Sequence, residues 1–335
     1  MPLVQYNNFP SIDRVGSEGV SVCAENEVNQ NLKTLNIGFL NMMPDAAVSA
    51  TERQFLRLLG SSDSVNCYFY PFTISGVSRS SEIQNHIDNY YINVDQVKTM
   101  QLDALVITGA NVSQPTLSNE KFWKGLREVL IWTRENVRST VCSCLATHAA
   151  FKVYYGVDRK HLGEKCWGVF KHEVIDPHHI LTKQEHSILE MCHSRFNDIS
   201  EDDFSSHNIS ILIKSPDVGV QLAAEKDLSV IYFQGHPEYD DISLLKEYKR
   251  EIINYLSGAR EDYPPEPKNY FDTKAQLTIQ EFKELVINSD EKNEIMQKFP
   301  EELLRVNIKN QWAAIAHLIF KNWLEAIASE KDSSG

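Results

Sequence analysis

Residues 140–156 read TVCSCLATHAAFKVYYG. A short apolar run of the β type leads to Cys144, and a helical run of small residues follows it and ends at Gly156, a suitable C′ glycine. A strand that leads directly into a helix, with a thiol at the turn, is the pattern of a nucleophile elbow. The free N–H groups at the start of such a helix can bind an anion, and the helix dipole favours a thiolate. Taken alone, the pattern also fits a buried, inert cysteine.

A second stretch, LSVIYFQGHPEYD at 228–240, favours the catalytic interpretation. An apolar strand at 228–233 is followed at once by His236 and Glu238. A thiol after one strand and a His–Glu pair after a later one supply a nucleophile, a base and an orienting carboxylate. Because the carboxyl ends of parallel strands meet at one edge of a sheet, we expect the three groups to converge. His148 lies one helical turn beyond the elbow, where we expect it to point away from the strand tip and to be structural.

Composition narrows the class of protein. The 335 residues are 42% hydrophobic, which is enough for one large core or two smaller ones. The net charge of −13 argues against a nucleic-acid partner. No run reaches the roughly 18 apolar residues of a membrane span, and the first residues lack the pattern of a signal peptide. Six cysteines without a CxxC pair indicate free thiols, so we expect a cytoplasmic protein.

Strands alternate with helices along the chain, which predicts a doubly wound, mostly parallel α/β sheet. We expect an irregular surface arm at 1–33, a catalytic domain at 34–258 and a C-terminal extension at 259–335 that packs on the same domain. Ser49 to Glu52 has the form of a capping box, and 73–100 contains one weak helical segment. Strands are predicted at 34–43, 65–72, 104–110 and 228–233, antiparallel additions at 166–174, 209–215 and 218–225, and further helices at 53–60, 119–136, 241–257, 275–305 and 309–328.

Several of these motifs together resemble one enzyme family. They are GFLNMMP at 38–44, TERQFLRLLG at 51–60, CLATHAA at 144–150, HSRF at 193–196 and GHPEYD at 235–240, with an arginine twelve residues after the glutamate. The sequence is similar to homoserine O-acyltransferases, and most closely to the homoserine O-succinyltransferase family of methionine biosynthesis. The resemblance runs from about residue 34 to 326, with 1–33 and 273–305 outside it.

The resemblance implies a class I glutamine-amidotransferase-like fold, acyl-CoA as co-substrate, no bound cofactor, and a homodimer. It also implies a ping-pong transfer to homoserine through a thioester on the elbow cysteine, with succinyl slightly favoured over acetyl. The residues that it assigns are the nucleophile Cys144, the base His236, the acid Glu238, the oxyanion N–H of Leu145, the acceptor ligands Lys165, Ser194, Arg195 and Arg250, and the acyl-selecting Ser113.

The sequence departs from the family pattern at three positions around the predicted pockets. These departures leave the identity of the acyl donor and of the acceptor open. The loop at 45–49 lacks the usual lysine, Ser113 replaces a glutamate or glycine, and Leu145 replaces a tryptophan. An enzyme of the same mechanism that acylates serine is one alternative, and a glutamine amidotransferase-like amidase or a non-catalytic binding protein are others. His178 and His179 find no third ligand at a suitable spacing, so we predict no metal site.

Overall fold

The computed structural model of the protein describes residues 2–183, 188–288 and 292–331. Its strands are β1 (Leu3–Gln5), β2 (Val22–Ala24), β3 (Lys33–Met42), β4 (Val65–Phe72), β5 (Ala104–Ala110), β6 (Ser139–Ser143), β7 (Lys160–Val174), β8 (Ile188–Asp198), β9 (Ser210–Ser215), β10 (Gly219–Ala224) and β11 (Val230–Phe233). Its helices are α1 (Pro10–Ser17), α2 (Val48–Leu59), α3 (Ser81–Tyr90), α4 (Val94–Thr99), α5 (Trp123–Asn136), α6 (Leu145–Tyr155), α7 (Glu201–Ser206), α8 (Ser243–Leu256), α9 (Thr273–Asn288), α10 (Lys292–Ile295), α11 (Glu301–Arg305) and α12 (Ala313–Glu330).

These strands form a single sheet in the described part of the chain, in the order β2-β1-β4-β3-β5-β6-β11-β10-β9-β7-β8. Neighbours from β2 to β11 in this order run parallel, and those from β11 to β8 run antiparallel. The predicted fold class, a mostly parallel sheet with antiparallel additions, is therefore confirmed.

Both faces of the central strands are buried, which explains their continuous apolar sequences. In β5, Ala104 and Val106 contribute to one hydrophobic cluster, whereas Leu105 and Ile107 contribute to the other. Helices α1, α2, α8 and α12 cover the first face, and α5, α6 and α7 cover the second. No helix among the described residues is long and apolar enough to cross a membrane.

The prediction of a surface arm at the N-terminus is wrong. Strand β1 pairs with both β2 and β4, so the first residues extend the main sheet. Leu3, Phe9, Ile12 and Val15 are at most 1% exposed and belong to the core. The strands were missed because each has only three residues, too few for a period to be recognised.

The predicted capping box before α2 is also wrong. The helix already begins at Val48, and Glu52 is fully buried rather than exposed at a helix start. Its carboxylate accepts hydrogen bonds from the Ser11 hydroxyl at 2.5 Å and the Tyr91 hydroxyl at 2.6 Å. Glu52 therefore joins the N-terminal segment to the segment at 73–100, which forms two helices rather than one.

The C-terminal helices pack on the same core. Trp312 and Trp323 of this region are at most 1% exposed. The Trp323 indole donates to Ser139 Oγ at 2.8 Å, and the Trp312 indole donates to the Tyr239 carbonyl at 2.7 Å. Helix α12 thereby contacts β6 and the loop after β11. Parts of the predicted domains, at 184–187, 289–291 and 332–335, lie outside the described residues.

Candidate active site

The turn between β6 and α6 presents Cys144 at the edge of the sheet. Cys144 has φ 51° and ψ −107°, a backbone conformation that is unfavourable for a residue other than glycine. Its own N–H donates to the Phe233 carbonyl at 2.8 Å, which ties the turn to β11. The N–H of Leu145 makes no backbone hydrogen bond within the described residues. It is therefore available to bind an oxyanion, and that role stays a prediction.

His236 reaches Cys144 because β6 and β11 are parallel neighbours that end level with each other. Ser143 lies opposite Phe233 in this pairing. Cys144 and His236 line the same cavity, and the charge of a Cys144 thiolate would raise the pKa of the His236 ring. On the other side of the ring, His236 Nδ1 lies 2.8 Å from Glu238 Oε1, and both side chains are buried. The structure therefore brings the three predicted catalytic residues together at the ends of two neighbouring strands.

The charges around His236 favour its protonated form. Burial alone lowers the pKa of His236, but the Glu238 carboxylate and the Cys144 thiolate raise it, and the net pKa lies well above 6.5. A histidine with this pKa holds a proton near neutral pH when it faces a thiolate. His236 is therefore suited to rest as an imidazolium beside Cys144.

Gly235 allows the base to approach the sheet closely. A Cβ at this position would lie 2.2 Å from Gln221 Oε1 and 2.4 Å from the Cys192 carbonyl oxygen. The next residue, His236, donates its N–H to that same carbonyl at 2.9 Å. Any larger residue at 235 would displace the base, so the glycine before the histidine has a steric reason.

A cavity of about 480 Å³ lies over the thiol. Loops after β3, β5 and β11, the hairpin of β7 and β8, and α8 all contribute to its wall. The predicted site residues that line it are Cys144, Leu145, Lys165, Ser194, Arg195, His236 and Arg250.

The sequence prediction missed Glu247, a buried carboxylate at the centre of the acceptor ligands. It accepts hydrogen bonds from the Tyr239 hydroxyl at 2.6 Å and from Ser194 Oγ at 2.7 Å, and it lies 3.2 Å from Lys165 Nζ. Burial alone would raise the pKa of Glu247, but Lys165 and the two hydroxyls lower it by more than burial raises it. The resulting pKa of Glu247 is about 2. One signal was present in the sequence, because Glu247 and Arg250 are three residues apart on one face of a helix.

The two predicted arginines differ in their partners. Arg250 is exposed on α8 and makes no hydrogen bond or ion pair with the residues described. Arg195 is buried, and its guanidinium donates to Asp198 Oδ1 at 2.7 Å and to the Val218 carbonyl at 2.5 Å. Arg250 is therefore available to a ligand, whereas Arg195 holds the β8 end against the turn before β10.

His148 lines the same cavity, so the expectation that it points away is wrong. Burial, with the charges of Arg195 and Arg159, lowers the pKa of His148 to about 3. A ring with this pKa is neutral and a poor proton acceptor near pH 7. His236 is therefore the better candidate for the base than His148.

Ser113 does not line the cavity over Cys144. It lies on the loop after β5 and lines a neighbouring cavity. Its N–H and its hydroxyl donate to the Glu120 carboxylate, at 2.6 and 3.2 Å. If the residue at 113 affects which acyl group is accepted, it does so through the shape of this loop.

Across the described residues, no group of three or more His, Cys, Asp or Glu side chains is placed to hold a metal ion.

A cysteine elbow at the edge of a mostly parallel sheet, beside a His–Glu pair, defines the class of α/β enzymes with a nucleophile elbow. The family model of homoserine O-succinyltransferase matches residues 2–333. The chain is 45% identical to a homoserine O-succinyltransferase of Methylobacter tundripaludum over 98% of this chain and 93% of that one. It is 44% identical to that of Methylococcus capsulatus, with the same coverage. The chain therefore belongs to the homoserine O-succinyltransferase family and is an acyltransferase.

The match extends beyond the predicted limits of the resemblance, since it includes 2–33 and 273–305. Among solved structures, a glutamine amidotransferase from Thermotoga maritima has a TM-score of 0.49 and 10% identity, covering 89% of this chain and 99% of that one.

Proposed function

We propose that this protein transfers the succinyl group of succinyl-CoA to the side-chain hydroxyl of homoserine, through a thioester on Cys144. The observation that carries the proposal is that Cys144 shares one cavity with His236, which is bonded to Glu238, and with Glu247 and Arg250. The names of the relatives support the same donor and acceptor.

In the first half-reaction the Cys144 thiolate attacks the thioester carbonyl of the donor. The Leu145 N–H donates to the oxyanion that forms, which is the main electrostatic contribution of an elbow. The carbon–sulfur bond to CoA then breaks, and the leaving thiolate takes the proton of the His236 imidazolium. His236 is left neutral, with its Nδ1 held by Glu238, and can act as a base.

In the second half-reaction the acceptor hydroxyl attacks the Cys144 thioester while His236 Nε2 takes its proton. The carbon–sulfur bond to Cys144 breaks and the ester leaves. The thiolate and the imidazolium are restored, so all atoms and protons balance. Two easier steps thus replace one difficult transfer.

The acceptor is an amino acid because the cavity carries a matched pair of charges. Glu247, with its pKa near 2, is the partner for an ammonium group, and Arg250 is the partner for an α-carboxylate. Lys165 and Ser194 orient the Glu247 carboxylate through their contacts with it. Arg195 positions this wall through its contacts with Asp198 and Val218.

Other parts of the account stay predictions. They are a role in methionine biosynthesis, a cytoplasmic location, a homodimer, and selection of the acyl group by Ser113.

The test is a matrix of acetyl-, succinyl- and butyryl-CoA against homoserine and serine, with release of free CoA as the readout. We expect the highest kcat/KM for succinyl-CoA with homoserine. Higher activity with serine would assign the alternative acceptor. Release of ammonia from glutamine, without CoA release from any donor, would overturn acyl transfer in favour of an amidase.

A further inference from the structure

Arg159 is a cation of the catalytic cavity that the mechanism does not use. It lies in the loop between α6 and β7 and lines the cavity over Cys144. Its Nη2 donates to the Gln114 carbonyl at 3.2 Å and to the Pro115 carbonyl at 3.4 Å. Its Nε and Nη1 are shielded from solvent and have no hydrogen-bond partner among the described residues. Part of this guanidinium is therefore unsatisfied.

The carboxylates near Arg159 are bound to other groups. Glu120 accepts hydrogen bonds from the N–H groups of Ser113 and Gln114, at 2.6 and 2.7 Å. Asp158 pairs with Lys152. No carboxylate in the described residues forms an ion pair with Arg159. Because a buried charged donor without an acceptor is costly, its retention beside a nucleophile calls for an acceptor that arrives with the substrate.

Arg159 and the acceptor ligands lie on opposite flanks of the thiol. In the sheet, β6 with Cys144 lies between β5 and β11. Arg159 is bonded to the loop after β5, whereas Glu247 is bonded to Tyr239 after β11 and to Ser194 on β8. The cavity thus has two cationic regions, one for the acceptor and one on the far side of the thiol.

Arg159 and Cys144 line the same cavity. Burial lowers the pKa of Arg159, while the charges of Glu120, Cys144 and Asp158 act in the opposite direction. The guanidinium remains charged, as arginine does in proteins. An acyl group bonded to Cys144 therefore extends within the field of this cation when it points to the β5 flank.

We infer that Arg159 binds the distal carboxylate of a dicarboxylic acyl group while the other end of that group is bonded to Cys144. This assignment rests on the proposed function, since it concerns the acyl donor of the same site. Rotation about the arginine side-chain torsions turns a free N–H toward the cavity, where it meets the carboxylate in a charge-assisted hydrogen bond. An uncharged acyl group of the same length gains nothing from this contact.

The same arrangement gives Ser113 an indirect route to donor choice. Ser113 sits on the loop whose carbonyls at 114 and 115 hold Arg159. A residue change at 113 that shifts this loop also shifts the guanidinium. Arg159 is thus the contact residue for the acyl chain, and the loop positions it.

The test compares succinyl-CoA with butyryl-CoA, which has four acyl carbons but no carboxylate. The ratio of their kcat/KM values is measured in wild type, Arg159→Met, Arg159→Lys and the control Lys160→Met, an exposed neighbour bonded to Asp203 and Ser200. We expect Arg159→Met to lower the succinyl preference by about 10- to 100-fold with butyryl transfer nearly unchanged, since a charged contact to one donor is lost. Arg159→Lys retains part of the preference, and Lys160→Met retains all of it.

The proposed donor and the Arg159 assignment are contradicted by different results. A wild type that does not turn over succinyl-CoA overturns the proposed donor. A wild type that uses succinyl-CoA, with the preference unchanged in Arg159→Met, overturns the Arg159 assignment alone. If Arg159→Met shows no cooperative thermal unfolding, Arg159→Lys decides the matter. A loss of succinyl preference there without loss of butyryl transfer supports the assignment, and an unchanged preference contradicts it.

Discussion

Glu247 is a carboxylate that the protein keeps charged inside its wall. Three donors, from Tyr239, Ser194 and Lys165, surround its two oxygens. These contacts more than offset burial, which is why the pKa falls to about 2. Glu247 therefore stays charged in the cavity wall, where we propose that it binds the ammonium group of the acceptor.

Glu247→Gln should impair use of the amino acid without impairing acylation of Cys144. We expect the KM for homoserine to rise by about 10- to 100-fold, because hydrogen bonds to charged groups contribute ~1.5–3 kcal/mol each. The measurement is steady-state KM for the acceptor, alongside the rate of CoA release in its absence. Glu301→Gln, which removes a carboxylate bonded to Lys249 of the same helix, is the control. Equal losses in both half-reactions would give Glu247 a structural role only.

Glu238 makes the stability of the protein depend on pH through His236. The folded pKa of His236 is raised, so the stabilisation is fully present below the unfolded value of about 6.5 and is lost as pH rises through the folded pKa. The difference in unfolding free energy between wild type and Glu238→Gln should therefore be largest near pH 6 and should shrink as pH rises through the folded pKa of His236. Urea unfolding across this range measures it, with the exposed Glu82→Gln as the control. A difference that does not change with pH would show that the His236–Glu238 ion pair does not contribute to stability.

The elbow between β6 and α6 stores backbone strain for function. A cysteine at φ 51° is held there by the Cys144 N–H bond to Phe233 and by the Thr147 hydroxyl, which donates to the carbonyls of Cys142 and Phe233 at 2.9 Å. The rest of the fold overrides the local preference at this residue. Such strain commonly marks a site where a side chain must be exposed in one direction.

Replacing Cys144 with glycine should release this strain. We expect the free energy of unfolding of Cys144→Gly to be about 1 kcal/mol higher than that of Cys144→Ala. The release of ~1–3 kcal/mol of backbone strain outweighs the entropy cost of glycine. Denaturant titration of the two variants gives the value. At Ala149, inside α6, the change to glycine should instead destabilise by about 1 kcal/mol. A glycine variant at 144 that is less stable than the alanine variant would contradict the strain.

One hydrophobic cluster connects the two ends of the described chain. Residues of α1 share a hydrophobic cluster with α2, α8 and α12, and the indole of Trp312 holds the loop that carries the base. The N-terminal segment therefore contributes to the same cooperative unit as the active site.

Ile12 tests this integration. Its side chain is 0% exposed, so Ile12→Ala should lower the free energy of unfolding by about 2–5 kcal/mol. Ile131 on α5 is 43% exposed. Ile131→Ala should therefore change the free energy of unfolding by less than about 0.5 kcal/mol. Chemical unfolding of both variants makes the comparison. An Ile12→Ala protein as stable as wild type would mean that the segment is a detached arm after all.

Much of the central sheet could be predicted, because buried parallel strands carry continuous apolar sequences. The predictions at 65–72 and 104–110 agree with β4 and β5 to the residue. Strand β8 was missed because polar residues such as Ser194 and Arg195 interrupt it, and its stability comes from pairing with β7. Site residues, too, can be predicted only where they lie in a local sequence pattern. Cys144 and His236 have local patterns, and the local signal for Glu247 is its spacing from Arg250 on one helix face. The importance of Arg159 arises from contacts between distant segments that no local pattern reveals.

The most direct test of the central claim is the intact mass of the protein after incubation with succinyl-CoA and no acceptor. The account predicts a gain of about 100 Da, one succinyl group, located on Cys144 by peptide mapping, removed by homoserine and absent in Cys144→Ser. A protein that gains no mass, and releases CoA only when homoserine is present, would contradict the thioester on Cys144.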